Sequence, residues 1–314
     1  MKNIKKLWIF AFIVFVAADV DVLNSPDYDF GSIEEPTGTD PLKNFNDWSG
    51  FECGPRQNSF TNLNFSAKSD TNTFKFHPWT VAIYSNESGK FVAAGTLIRY
   101  DVAVTSSKGI ENVPDDQLVV KAGIVNRSER NQLYRNARNV SRNAELSLIH
   151  LTTPFAMLFP HVRPICLPLQ EDVFTERSCG TVGWHLNSTN TMDGSTNNET
   201  AFLWQRPYVV MGNEDCLTEL NETIANKRIC STDKLNEFTP LNIGAGLVCK
   251  TEKFVLAGVS LSNSDWVKEN KPTFFANVPD YLLWIESELK PYLEASSNNS
   301  LLSTQDFEES NLTP

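Results

Sequence analysis

Apolar residues fall in short runs through the middle of the chain, at Thr80 to Tyr84, Phe91 to Ile98, Asp101 to Thr105, Gln117 to Val125, Ser147 to Leu151, Ala201 to Tyr208 and Phe254 to Leu261. Clusters of Gly, Asn, Asp and Pro separate them. Runs of strand length bounded by turn residues predict an all-β sandwich or barrel. A helical repeat occurs once and late. After Pro279, the apolar positions Tyr281, Leu282, Trp284, Ile285 and Leu289 recur at about the 3.6-residue period of a helix. Pro279 suits its start and Pro291 its stop. There is no internal repeat, P-loop, dinucleotide fingerprint or HExxH motif.

The two ends of the chain differ from this middle. Residues 1–18 place Lys2, Lys5 and Lys6 before the apolar run Leu7 to Val16 and the small residues Ala17 and Ala18. That run is shorter than the roughly 20 residues a membrane-crossing helix needs, so it reads as a secretory signal peptide. Residues 19–52 are acidic with almost no apolar periodicity, and 294–314 are similar. Both read as extended or flexible. The predicted organisation is therefore a signal at 1–18, a leader at 19–74, a folded domain at 75–293 and a tail at 294–314.

With 314 residues, 41% hydrophobic and 21% charged, the chain is a globular one rather than a disordered or multispan protein. It is long enough for two domains or one large double barrel. Lys and Arg number 27 against 38 Asp and Glu, for a net charge of −11. Removing the signal takes away three lysines and no acid, giving 24 − 38 = −14. This balance, with no evident Lys and Arg cluster, argues against nucleic acid and anionic membranes as partners.

An even count of six cysteines in a chain bound for an oxidising compartment predicts three disulfides. Counting alone leaves all 15 pairings open. No CxxC occurs, so no zinc or redox site is expected, and no cofactor or metal is indicated. Glycosylation sequons begin at Asn64, Asn86, Asn126, Asn139, Asn187, Asn198, Asn221, Asn298 and Asn311, which marks these places as surface loops.

Several blocks now stand in an order that resembles the chymotrypsin-like (trypsin-like) serine proteases. They begin with Phe76-His77-Pro78-Trp79, Ala93-Ala94-Gly95-Thr96-Leu97-Ile98 and Val104-Thr105-Ser106-Ser107-Lys108-Gly109. Glu145-Leu146-Ser147-Leu148-Ile149, Arg163-Pro164-Ile165-Cys166-Leu167-Pro168 and Cys179-Gly180-Thr181-Val182-Gly183-Trp184 follow. Cys216, Ile229-Cys230, Gly244-Ala245-Gly246-Leu247-Val248-Cys249 and Ala276-Asn277-Val278-Pro279 complete the series. The resemblance implies two packed six-stranded antiparallel barrels with a cleft between them and a C-terminal helix. It also implies the pairs Cys53–Cys166, Cys179–Cys249 and Cys216–Cys230. Two further family bridges are absent: Ala93 and Gly109 stand at the first, Thr239 and the 262–265 stretch near the second.

Acyl transfer of the family type needs a hydroxyl nucleophile, an imidazole base and an orienting carboxylate. On the resemblance, Ile243 stands for the serine, Lys108 for the histidine and Glu145 for the aspartate. A hydrocarbon cannot attack a carbonyl, and a lysine cation carries no free lone pair near neutral pH. No catalytic residue is therefore assigned. Lys108 and Glu145 either form an ion pair in the vacated space or are two separate solvated charges. The activation stretch reads Phe65-Ser66-Ala67-Lys68-Ser69, without the basic site or the apolar terminus that the family frees, and Asn242 replaces the aspartate that receives it. Ser262 and Thr273 replace glycines at the pocket mouth, and Glu237 near the pocket floor reads as a surface residue. His77, His150, His161 and His185 lie in no catalytic or metal constellation; Trp79, Trp184 and Trp284 read as core.

The resemblance implies a secreted pseudoprotease, similar to the arthropod serine protease homologues without a visible clip module. Its expected role is that of a binding cofactor or regulator in an extracellular proteolytic cascade, such as innate immunity or melanisation. Its expected partner is another protease, a zymogen or a serpin. A reproductive-tract or other ligand-binding glycoprotein is the alternative. A hydrolase with relocated catalytic groups comes last.

Overall fold

A computed structural model describes residues 53–54, 77–124, 126–127, 133–155, 162–184, 203–212, 214–216, 228–233, 242–261 and 272–291. The signal, the tail and all of the leader except 53–54 lie outside the described residues, as do His161, His185, Glu237, Thr239, Ser262 and the 65–69 stretch.

Twelve strands form two closed antiparallel barrels among the described residues. The first contains β1 (Thr80–Ser85), β2 (Phe91–Arg99), β3 (Val102–Ser106), β4 (Leu118–Ala122), β5 (Leu133–Arg142) and β6 (Leu146–Leu151). It closes in the order β1-β2-β3-β6-β5-β4. The second contains β7 (Ser178–Trp184), β8 (Leu203–Val210), β9 (Arg228–Asp233), β10 (Gly246–Lys250), β11 (Phe254–Ser260) and β12 (Thr273–Asn277), closing as β10-β11-β12-β9-β8-β7.

The strands follow from two-sided burial. In β1, Val81 and Ile83 point into the first barrel while Ala82 and Tyr84 join a second apolar cluster with Val182 and Trp184. Such continuous apolar runs are the ones the sequence pattern detects. It misses β5, β7, β9, β10 and β12. In β5 only Ala137 and Val140 are buried, and Tyr134, Asn136, Arg138, Asn139 and Arg142 are exposed. The predicted run over Gln117 to Val125 pairs only through Ala122, because Gly123 turns away at φ 66°.

One apolar core crosses both barrels. Trp79, Phe155 and Ile165 pack in the same cluster as Phe254, Leu256 and Val259, and Trp79 stacks on Phe254 with ring centroids 6.4 Å apart. A turn at Val278–Tyr281 leads into a helix over residues 282–291, which seats Leu282, Ile285 and Leu289 in this core. Trp79 and Trp184 are fully buried, but Trp284 is only half-buried and caps the cluster edge, which corrects its reading as core.

Three disulfides join Cys53 to Cys166, Cys179 to Cys249 and Cys216 to Cys230, the pairs that the resemblance implies. They close separations of 113, 70 and 14 residues. On a chain-entropy model the two longer ones each stabilise by about 4 to 5 kcal/mol and the short one by about 3 kcal/mol, as upper figures.

Two sequence readings need correction. Among the described sequons, Asn86 lies in an exposed turn and Asn126 is half-buried, but Asn139 is an exposed residue of strand β5 rather than of a loop. Asn64, Asn187, Asn198, Asn221, Asn298 and Asn311 lie outside the described residues. A basic cluster also exists. Over residues 121–142 the sequence carries Lys121, Arg127, Arg130, Arg135, Arg138 and Arg142 against the one acid Glu129, and Arg142 is ion-paired with Asp115. Their spacing hides them in the sequence, whereas antiparallel pairing of β4 with β5 folds the stretch back on itself.

Candidate functional site

The end of β3, the start of β6 and the start of β10 meet at one corner of the cleft. After β3 the chain makes a single 3-10 turn, Ser107–Ile110, which buries Ile110 and leaves Lys108 exposed. Ser107 ties this turn to the residue before β6: its backbone N donates to the Glu145 carbonyl at 2.8 Å. Its hydroxyl donates to the Asn143 carbonyl at 2.8 Å and lies 2.8 Å from Ser147 Oγ.

Ile243 reaches the same corner from the turn before β10. Its carbonyl accepts from the Ala94 backbone N at 3.1 Å. A Cβ placed on Gly109 would lie 3.0 Å from Ala93 Cβ and 3.2 Å from Ile243 Cγ2. Ala93 and Gly109, the two positions read as a lost cysteine pair, therefore face each other with Ile243 against them. Gly244 follows with φ 85°, its backbone N donating to the Ser260 carbonyl at 2.9 Å. Any side chain there would collide with Thr105 Oγ1 and the Ala94 carbonyl, so only glycine fits.

Glu145 does not pair with Lys108. Arg228 Nε donates to its Oε1 at 2.8 Å, and Arg228 Nη2 donates to the same oxygen. Tyr281 Oη donates to Oε2 at 2.6 Å. Each oxygen is thus engaged, by β9 and by the turn before the C-terminal helix. Of the two readings of Lys108 and Glu145, the ion pair is overturned; Lys108 is the solvated charge, while Glu145 is half-buried with a different cation. The longer glutamate side chain gives the carboxylate the reach to cross to the second barrel. Burial, and then the Glu145 hydrogen bond and charge, push the Tyr281 hydroxyl well above its ordinary pKa. Neither Arg228 nor Tyr281 stands out in the sequence: the first precedes a cysteine, and the second reads as helix packing.

Asn242 is buried, and its Oδ1 accepts from the Trp184 backbone N at 2.7 Å. Its Nδ2 has no partner among the described residues. An amide here cannot supply the negative charge that would hold an incoming ammonium. His77 is buried on the edge of Trp79 and lies 3.1 Å, Nε2 to Oε1, from Gln205 of β8. Burial lowers its pKa to about 4, partly offset by the Gln205 bond. His150, beside Ser141 Oγ, is likewise lowered to about 4, chiefly by burial. Both are neutral packing residues near pH 7. Ser260 is buried and Thr273 is half-buried. Among the described residues no group of three or more His, Cys, Asp and Glu is placed to hold a metal, and no helix is long and apolar enough to cross a membrane.

The trypsin family model matches residues 67–285 of this chain. The chain belongs to the trypsin family. It is also 25% identical, over 245 residues, to a protein of Anopheles gambiae named inactive CLIP domain-containing serine protease A8. That match covers 69% of this chain and 65% of the relative, so the chain spans less than two-thirds of the relative's length. The trypsin-family match takes in both barrels and the first turn of the C-terminal helix, and every cleft residue described above falls within it.

Proposed function

We propose that this chain is a secreted, catalytically inactive serine protease homologue that acts by binding, as a cofactor or regulator in an extracellular proteolytic cascade such as innate immunity or melanisation. The observation that carries the reading is Ile243. On the resemblance it stands for the family's nucleophile; its carbonyl accepts from the Ala94 backbone N and its side chain lies against Gly109. Covalent acyl transfer needs a heteroatom there. Lys108, which on the resemblance stands for the base, is exposed, and Glu145 is turned to Arg228 and Tyr281. The relative whose name calls it inactive supports the same conclusion.

Three disulfides and the signal-like terminus favour an oxidising, extracellular setting. With no turnover to perform, the useful property is a protease-shaped surface, and the partner class is another protease, a zymogen or a serpin. Two measurements test this. A serine-reactive fluorophosphonate should fail to label the folded protein; labelling that heat denaturation abolishes would restore a hydrolase. Affinity capture of the tagged protein from its native extracellular fluid, before and after a cascade is triggered, should retain proteases, zymogens or serpins. Recovery of none of them by intact protein would rule the cascade role out.

A further inference from the structure

Charge is unevenly placed in this chain. The whole carries −11 and residues 121–142 carry 6 − 1 = +5, which leaves −11 − 5 = −16 for the remainder. On the outside of the first barrel some of these cations alternate with aromatic rings. Lys121 Nζ lies 4.1 Å from the centre of the Tyr84 ring. Tyr84 meets Phe91 edge to face at 5.7 Å, and the Arg127 guanidinium lies 4.4 Å from the centre of the Phe91 ring. Across the sheet, Lys121 is in register with Tyr134, whose side chain is 57% exposed. Arg138, further along β5, is exposed as well, while Ala137 and Val140 turn inward.

A ring holds a cation in place without cancelling its charge. The ordering of Lys121 by Tyr84 therefore precedes any binding event, which reduces the entropy a partner must overcome. Tyr and Arg are also the residue types that dominate binding hot spots. The net +5 of residues 121–142 attracts an acidic partner, whereas the rest of the chain carries a net negative charge.

We propose that this outer face, centred on Lys121, Tyr134 and Arg138, is a docking surface for an acidic polypeptide segment. Its carboxylates would pair with the two cations and its apolar side chains would lie on Tyr134. The interleaved rings favour a polypeptide over a sulfated polysaccharide, which carries no apolar side chains to cover them and gains most from contiguous cations. The proposal uses none of the residues at the Ile243 corner, so it stands independently of the cascade role.

The test is fluorescence-anisotropy titration of the full-length, secreted, glycosylated protein with a labelled Glu–Tyr copolymer, and with heparin as comparison. Sequons at Asn126 and Asn139 border the face, so glycans must be present. The expected result is saturable copolymer binding that K121E/R138E weakens about tenfold or more, with K253E/K290E, an equal charge change on exposed sites elsewhere, weakening it less than about twofold. R138E alone, at an exposed position, should give about half of that effect on a logarithmic scale and guards against misfolding of the double variant. Equal losses in both double variants would reduce the effect to bulk charge and overturn the site. Tighter binding to heparin than to the copolymer, binding only after the glycans are removed, or no binding would each overturn it too.

Discussion

The two barrels share a strand count and a core but are secured differently. The second holds Cys179–Cys249 between β7 and β10, anchors Cys230 of β9 to Cys216, and has Cys166 bridged to Val255 of β11. The first carries no disulfide within its strands, and Ala93 and Gly109 face each other instead. It relies on packing, and two buried histidines lie in it or at its edge: His150 on β6 and His77 just before β1. Covalent cross-links destabilise the unfolded chain and are removed by reductant; buried neutral imidazoles are removed by acid. Reductant is therefore expected to loosen the second barrel first, and acid the first barrel.

The largest effect should come from the second barrel. Replacing Cys179 and Cys249 by alanine is expected to cost about 4 kcal/mol, read as a lower denaturant midpoint, with hydrogen exchange rising first in β7 and β10. Equal loosening of the first barrel would break the comparison. Acid should act the other way. Between the ordinary imidazole pKa of 6.5 and the folded value of about 4, the unfolded chain binds protons that the folded His77 and His150 refuse. Stability is therefore complete above that window and falls as pH drops through it, by up to about 3 kcal/mol per histidine. Denaturation at pH 7 and pH 4.5, with exchange mapped by barrel, checks whether β1 and β6 open first.

The contrast can also be reduced by design. A93C/G109C would place a cross-link where the first barrel lacks one, worth at most about 3 kcal/mol for so short a loop. Because the Cβ positions lie 3.0 Å apart with Ile243 at 3.2 Å, the gain should be partial and should rise when Ile243→Ala is added. Quantitative thiol titration with thermal melts decides this. Glu145→Gln tests the strut between barrels: a neutral amide would leave half-buried Arg228 without a countercharge, at a cost of about 1 to 2 kcal/mol. The smallest effect should be that of Lys108→Ala, within about 0.5 kcal/mol, since the side chain is exposed and makes no ion pair with Glu145. A larger loss would mean that Lys108 is engaged after all.

How much of this was legible in the residues depended on how far apart the interacting groups lie in the chain. Val81 with Ile83, or Phe254 with Leu256, announce strands because burial on both faces demands apolar residues in sequence. The helix after Pro279 shows its repeat for the same local reason. β5 is illegible by that criterion, since its Asn and Arg residues face outward and only its pairing with β4 and β6 makes it a strand. Ile243 and Asn242 could be read as lost chemistry from their place before Gly244 and Cys249, because what is missing there is a functional group.

The sequence alone determined the strand-rich domain, the family order of its blocks and the even set of cysteines. These depend on residue type and on near neighbours along the chain. The tertiary structure decided where Glu145 directs its carboxylate, which rings hold Lys121 and Arg127, and which histidines are buried. Glu145 meets Arg228 and Tyr281 from 83 and 136 residues away. Nothing local encodes such a meeting; it exists only once the two barrels close and bring β6, β9 and the C-terminal turn to one corner.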